Sequence, residues 1–262
     1  MDHSFLEQIR EAELRFIIQF LPPKSKVLEL GSGAGWQAKQ LTEAGFIVEG
    51  IDVEQQNLAN YNYSDKRVFD VKKYDGFNIP FEADTFDCVY SSNVLEHIAH
   101  VEIFQKEISR VLKEGGLCVH ILPSAGWRFW SIPAYYWVRI GNVLFRKKNK
   151  QAAKGTSQGQ PGKLSKDPFI KRFIIRRHGE RGNVLSEFYL FSRIAWKRLF
   201  KRTGWQILRI VSGPVFFSGE YTLSARLSLQ TRSKLGAFLG RSSNVFILKN
   251  TKKSSLPPNV IK

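Results

Sequence analysis

Val27-Leu28-Glu29-Leu30-Gly31-Ser32-Gly33-Ala34-Gly35-Trp36 is the stretch that decides the fold. An apolar run closes on an acid, and three glycines then stand at alternate positions. A helical pattern follows from Gln37 to Ala44, so the segment reads as strand, tight turn, helix. Glycine suits a backbone that must adopt φ > 0 or let a ligand approach closely. The helix N-terminus behind the turn offers amide N–H groups to polar ligand atoms. Dinucleotide sites carry G-x-G-x-x-G, whereas here the third glycine comes one residue early and Glu29 precedes the first by two. Gly50-Ile51-Asp52 follows a second apolar run, Phe46-Ile47-Val48. A carboxylate at that distance can accept both hydroxyls of a ribose. The pattern calls for a nucleoside with no pyrophosphate to cradle.

Outward from this turn, strands and helices alternate. An amphipathic helix over residues 4–21 stops at Pro22-Pro23. Strand 1 is Lys26–Leu30 and strand 2 is Phe46–Ile51; a polar helical stretch, Glu54–Asn60, leads to a short strand around Arg67–Asp70. The fourth strand is Phe86–Ser91, and a helix opens over Asn93–His97. Val101, Phe104, Ile108, Val111 and Leu112 mark a periodic helix that Glu114-Gly115-Gly116 would end as a glycine C-cap, before strand 5 at Leu117–Leu122. The pattern stops at Pro123 and resumes with a helix over Phe191–Gly204, strand 6 at Trp205–Val211 and strand 7 at Asn244–Leu248.

This order predicts an α/β fold: a Rossmann-like, mostly parallel seven-stranded sheet with helices on both faces. The expected divisions are an N-terminal helix (1–23), a cofactor-binding half (24–123), an insertion or lid after strand 5 (124–190), the C-terminal half of the sheet (191–250) and a disordered basic tail (251–262). In such sheets ligands sit at the carboxyl ends of the strands near the switch point. Strands 1, 2 and 4 end there in Gly31, Asp52 and Ser92.

The chain has 262 residues, enough for one substantial core plus an insertion, and 43% are hydrophobic. The net charge of +17 is unevenly spread. Residues 1–123 carry 12 Lys/Arg against 19 Asp/Glu, and residues 124–262 carry 28 against 4. A balance of −7 is thus followed by +24, an asymmetry that points to an anionic partner: membrane surface, nucleic acid or phosphorylated substrate. Cys88 and Cys118 each lie inside an apolar run and read as buried thiols, not a metal or disulfide framework. No metal site is expected. The first ten residues carry early charges and no signal-peptide core, which fits a cytoplasmic protein that can sit peripherally on the inner membrane face.

Glu29-Leu30-Gly31-Ser32-Gly33-Ala34-Gly35 with Asp52 resembles the cofactor half of class I S-adenosylmethionine-dependent methyltransferases, in their small-molecule, type 11-like branch. The segment Asp75-Gly76-Phe77-Asn78-Ile79-Pro80-Phe81 is similar to the family loop in which an acid binds the adenine amine and a neighbouring N–H meets a ring nitrogen. Asp75 can equally make a local turn, and Asp70 competes for the same role. Phe86-Asp87-Cys88-Val89 with Ser92-Asn93-Val94-Leu95-Glu96-His97 matches the strand-4 motif. The resemblance implies S-adenosylmethionine as cofactor. It implies contacts from Glu29, Gly31, Ser32, Gly33, Gly35, Asp52, Val53, Asp75, Gly76, Ser92 and Asn93. His97 could face the substrate or anchor its helix.

His178-Gly179-Glu180-Arg181-Gly182-Asn183 is a polar cluster ahead of the sixth strand. It resembles a stretch in methyltransferases of bacterial surface-polysaccharide pathways. His178 has the chemistry of a general base, or belongs to a charged turn. Trp127, Phe129, Trp130, Tyr135, Tyr136, Trp137 and Phe145 stand among basic residues, including Arg146-Lys147-Lys148. Pro123, Gly126, Pro133 and Gly141 interrupt the run, and Arg128 and Arg139 make spanning a bilayer costly. The run is expected to rest on a membrane surface, to line an apolar acceptor pocket, or both, with Lys150–Lys166 as a flexible loop. The leading reading is methylation of a small molecule or lipid-linked glycan at a membrane surface, on oxygen. RNA methylation ranks behind it, for want of a separate RNA-binding motif. A non-catalytic cofactor-binding subunit is a third reading, opposed by the intact Glu29, glycines and Asp52.

Overall fold

The computed structural model describes residues 3–53, 67–152, 175–218 and 227–251. Seven strands form one sheet: β1 (Lys26–Leu30), β2 (Ile47–Val53), β3 (Val71–Tyr74), β4 (Phe86–Ser92), β5 (Leu112–Pro123), β6 (Trp205–Ser212) and β7 (Ser243–Asn250). Their order is β3-β2-β1-β4-β5-β7-β6. The first five are parallel, and β7 runs antiparallel between β5 and β6. The chain reverses direction across the sheet between β1 and β4, which makes the crevice at their carboxyl ends the switch point. Leu30 pairs in register with both Ile51 and Ser91, so Gly31, Asp52 and Ser92 emerge side by side.

Helices cover both faces. Leu14 and Ile17 of α1 (His3–Ile18) and Leu41 of α2 (Trp36–Glu43) pack on Val27, Tyr90, Val119 and Val245. On the other face, α3 (Val101–Val111) contributes Phe104, Ile108 and Val111, and α6 (Arg193–Arg202) contributes Trp196, Leu199 and Phe200. These residues recur at three and four positions, the spacing that lines one helix face. Each large side chain buried this way contributes about 1.5–3 kcal/mol. Ser192 caps α6, its Oγ accepting from the Ala195 amide at 3.2 Å. A third cluster joins Phe5 and Ile9 of α1 to Trp127, Phe191, Val215 and Phe217. The N-terminal helix is thereby tied to the segment that follows β5.

The structure corrects several expectations. The third strand is Val71–Tyr74, not Arg67–Asp70. Phe69 instead packs its Cβ over Gly35, where an added methyl would sit 2.4 Å away. No α-helix opens at Asn93, whose φ is +55°; a single 3-10 turn, Leu95–His97, stands there. The Gly115-Gly116 pair does not cap α3. Leu112 is already extended and pairs with Phe86, and the register then jumps to Cys88 opposite Leu117. The two glycines lie in that bulge. The aromatic run is one helix, α4 (Ala125–Ala152), which continues through Pro133. A short α5 (Glu187–Leu190) precedes α6, and α7 (Leu229–Leu239) was not anticipated. Residues 150–152 end α4 and do not open the loop expected over Lys150–Lys166; the rest of that loop, Glu54–Asn60 and the tail beyond residue 251 lie outside the described residues, as do the side chains at 142–152.

Candidate functional site

The glycine turn is built for close approach. Gly31 has φ +69°, and a Cβ there would lie 2.5 Å from Val94 Cγ2. Its amide donates to Ile51 O at 2.8 Å, and the Ser32 amide donates to the same carbonyl at 3.0 Å, which locks β1's exit against β2. Asp52 is oriented by two backbone amides: Gly33 N–H donates to Oδ2 at 2.7 Å and Val53 N–H to Oδ1 at 2.8 Å. A carboxylate has about four lone-pair directions, so each oxygen retains one for a hydroxyl donor.

Glu29 is buried at the end of β1, and its Oε2 has no hydrogen-bond partner among the described residues. Burial pushes its pKa up to about 7; the Ser32 hydroxyl and the Ala38 amide pull it down, and the Asp52 charge adds to the rise. An orphaned buried carboxylate beside a pinned one suits a ligand with an ammonium group and a ribose. These residues fit S-adenosylmethionine.

Asp75 and Gly76 lie just past β3. Asp75 is exposed, and its Oδ1 accepts from the Phe77 and Asn78 amides while Oδ2 accepts from Asn78 Nδ2. These bonds hold its carboxyl below the ordinary range. Asp75 thus makes the local turn, with lone pairs left over; Asp70 is exposed at the opposite end of β3, ahead of Val71. Gly76 has φ +84°, and His100 contacts its carbonyl at 3.2 Å while stacking on Phe77 with ring centres 4.2 Å apart.

At the end of β4, Asn93 donates from Nδ2 to Ser92 Oγ at 3.1 Å, and its backbone amide donates to Ile121 O at 2.8 Å. Arg10 of α1 reaches the same point: its Nη1 donates to Ser92 Oγ at 3.3 Å and to Glu13 Oε2 at 2.7 Å. Glu13 is fully buried and accepts from Ser243 Oγ at 2.8 Å. The N-terminal helix therefore closes one side of the cleft with an arginine that sequence reasoning missed.

The structure brings His97 and His178 together, with ring centres 4.9 Å apart. The His178 loop docks on the Leu95–His97 turn: the Glu180 amide donates to Glu96 O at 3.0 Å, and a Cβ on Gly179 would meet that carbonyl at 2.8 Å. Glycine is required there. Trp127 packs on His178 at 4.6 Å. Both rings keep an open edge; partial desolvation, with His97, Arg128 and Arg10 nearby, drives the His178 pKa down to about 4, and partial desolvation lowers His97 as well. Both imidazoles are therefore neutral at pH 7.

Trp127, Trp130 and Trp137 lie in three different environments along α4. Trp127 is buried, Trp130 donates from Nε1 to Leu239 O at 2.9 Å, and Trp137 is 74% exposed. Phe129 and Ile140 are also exposed, as is Phe238 next to the carbonyl that Trp130 meets. Among the described residues, no helix is long and apolar enough to cross a membrane.

Residues 28–120 match the model of a methyltransferase domain family, type 11. A sterol 24-C-methyltransferase of Schizosaccharomyces pombe is 37% identical over 103 residues, 37% of this chain and 27% of that protein. A ubiquinone biosynthesis O-methyltransferase of Bartonella tribocorum is 27% identical over 135 residues, 47% of this chain and 53% of that protein. The chain thus spans between about a quarter and about half of the length of these relatives. Among solved structures, an S-adenosylmethionine-dependent methyltransferase from Mesorhizobium loti superposes with a TM-score of 0.51 at 17% identity, covering 91% of this chain and 97% of that one. With the glycine turn, Asp52 and the strand order, the matched stretch identifies residues 28–120 as a class I S-adenosylmethionine-dependent methyltransferase domain of the type 11 branch.

Proposed function

We propose that the protein transfers a methyl group from S-adenosylmethionine to a hydroxyl oxygen of a small-molecule acceptor, in its specific form a lipid-linked glycan of a surface-polysaccharide pathway. The observation that carries the reading is the pair of carboxylates at the ends of β1 and β2. Asp52 is fixed by two amides for ribose, and Glu29 is buried with an oxygen left over for an ammonium group. Gly31, Ser32, Gly33 and Gly35 form the floor beneath the ligand, Val53, Asp75 and Gly76 the adenine side, and Ser92 and Asn93 the methionyl side.

When bound there, the cofactor supplies a sulfonium methyl that is already activated. The chain's own task is to place the acceptor oxygen within about 3–3.5 Å of the reacting carbon and to take its proton. We assign the proton to His178, whose neutral imidazole can accept it. His97 is its neighbour and second candidate. Arg128 and Trp127 hold the His178 loop from the α4 side. The segment 124–190 serves as lid and acceptor pocket. Exposed Phe129, Trp137 and Ile140 on α4 give it an apolar outer surface, and the basic back half supplies attraction to an anionic leaflet. These features support a peripheral location on the inner membrane face.

The same positive charge favours RNA as a second acceptor class. Incubation of the purified protein with methyl-labelled cofactor and either lipid extract or total RNA separates the two. Label in lipid supports the proposal, and label in RNA alone overturns it.

A further inference from the structure

Glu96, His97 and His178 each offer one ligand atom, and these three atoms lie within 4.8 Å of one another. Glu96 is 1% exposed, and neither of its carboxylate oxygens has a hydrogen-bond partner among the described residues. His97 Nε2 stands 3.8 Å from Glu96 Oε1, beyond hydrogen-bond reach. A buried carboxylate is normally paired or bound to a metal, because its desolvation is costly otherwise. Arg10 and Arg181 are near enough for their charges to act on it, but neither meets its oxygens with a hydrogen bond.

The backbone is arranged to make this meeting. The Glu180 amide on Glu96 O and the clearance at Gly179 fix the His178 loop onto the turn that carries Glu96 and His97. The buried Glu187 carboxylate accepts from the His178 and Gly179 amides and so fixes the loop from its other side. Residues 82 positions apart are thereby held as one set of donors.

We propose that Glu96, His97 and His178 bind a divalent first-row transition ion of the zinc class. Two imidazoles and one carboxylate are a donor set that such ions favour, and three protein ligands leave a position open. An ion about 2.1 Å from each ligand needs them about 3.4 Å apart, a closure within side-chain adjustment. The two histidines reach solvent, so an acceptor oxygen can enter at the open position. With the ion bound, His178 is its ligand: the ion orients and acidifies an acceptor hydroxyl, whose proton leaves to water, and the role of base given to His178 above applies to the ion-free protein alone. This use of the open position rests on the methyltransferase reading; binding of the ion does not.

The test uses the full chain, stripped of metal by chelator. Zn²⁺ is titrated calorimetrically and Co²⁺ is followed by its visible absorption. The expected result is one ion per chain, with affinity reduced at least about 10-fold in Glu96→Gln, His97→Ala and His178→Ala and unchanged in His100→Ala. Thermal unfolding confirms that each variant is folded; the isosteric Glu96→Gln keeps the test open should a smaller residue fail. No uptake by the folded wild type, or equal uptake by the Glu96→Gln and His178→Ala variants, overturns the proposal. S-adenosylmethionine is titrated into the same metal-free sample. Cofactor binding without ion uptake sinks the metal site alone, whereas ion uptake without cofactor binding supports the metal site and sinks the methyltransferase reading.

Discussion

Arg128 Nε lies 2.8 Å from Glu187 Oε2, with the two side chains 4% and 0% exposed. The other Glu187 oxygen accepts from the His178 and Gly179 amides, and Arg128 Nη2 donates to Arg176 O at 3.0 Å. One buried ion pair therefore joins α4, α5 and the loop that presents His178.

Removing one partner leaves the other charge buried without compensation. Glu187→Ala should destabilise the protein by about 3–5 kcal/mol. The double change Arg128→Met with Glu187→Leu should recover most of that stability while leaving the His178 loop without its acceptor. Urea unfolding measures both. Equal stability of Glu187→Ala and wild type would show that the pair contributes nothing to the fold.

On the proposed reading, Glu29 should make cofactor affinity depend on pH. Its pKa in the unliganded protein is raised to about 7, mainly by burial. An ammonium group beside it favours the ionised form, so binding below that pKa releases a proton. Affinity should rise by up to about 10-fold per pH unit below pH 7 and level off above it. Calorimetry between pH 5.5 and about 8.5 in buffers of different ionisation enthalpy reads both the slope and the proton. The slope should vanish in Glu29→Gln.

His120 is buried, held by Ser91 Oγ at 2.8 Å from Nδ1 and stacked on Phe200, and burial drives its pKa down to about 3. The unfolded chain takes up a proton near pH 6.5 that the folded chain refuses until about pH 3. Stability attached to His120 is thus present above pH 6.5 and is lost as pH falls through that window, at up to about 1.4 kcal/mol per unit. Glu29 works in the opposite sense, since its raised pKa costs stability as pH climbs from 4.5 to about 7. The two are separated by following the difference between wild type and His120→Gln from pH 7 to about pH 5. A difference that does not change with pH would contradict the assignment.

Much of the architecture was legible because it is local. The run from Val27 to Trp36 could only be strand, turn and helix, and Asp52 could be placed from its spacing alone. What escaped was non-local or masked by chemistry. Val68 and Phe69 drew the third strand too early, because an apolar pair closing over Gly35 looks like one pairing with β2. Helix α7 buries Arg232 and Gly236, so its inward face carries no apolar stripe to read. Arg10 looked like the polar side of an amphipathic helix, and Glu96 like part of a family motif. Only the fold shows that one reaches Ser92 and that the other is buried against a loop from beyond residue 175.

Of the aromatic residues the sequence singled out, Trp137 stays in the membrane proposal and Trp127 leaves it. Trp127 is buried against His178, so its loss would unsettle the site and not the surface. Trp137, Ile140 and Phe238 are exposed. Flotation with anionic liposomes at low salt should carry the wild type upward, weaken with added salt, and fall in the triple alanine variant of these three. Wild-type protein that stays in the lower fraction would remove the membrane surface from the account and move a dissolved acceptor or RNA ahead.

The central claim is that the carboxylates ending β1 and β2 hold S-adenosylmethionine. Its most direct test is calorimetric titration of the cofactor into wild type and Asp52→Ala, with thermal unfolding as the check on fold. Two charge-assisted hydrogen bonds are lost, each worth about 1.5–3 kcal/mol and partly replaced by water. The account predicts saturable binding by the wild type and an affinity about 10–100-fold weaker in a variant that unfolds at the same temperature. Unchanged affinity in a folded Asp52→Ala protein, or no binding by the wild type, would contradict it.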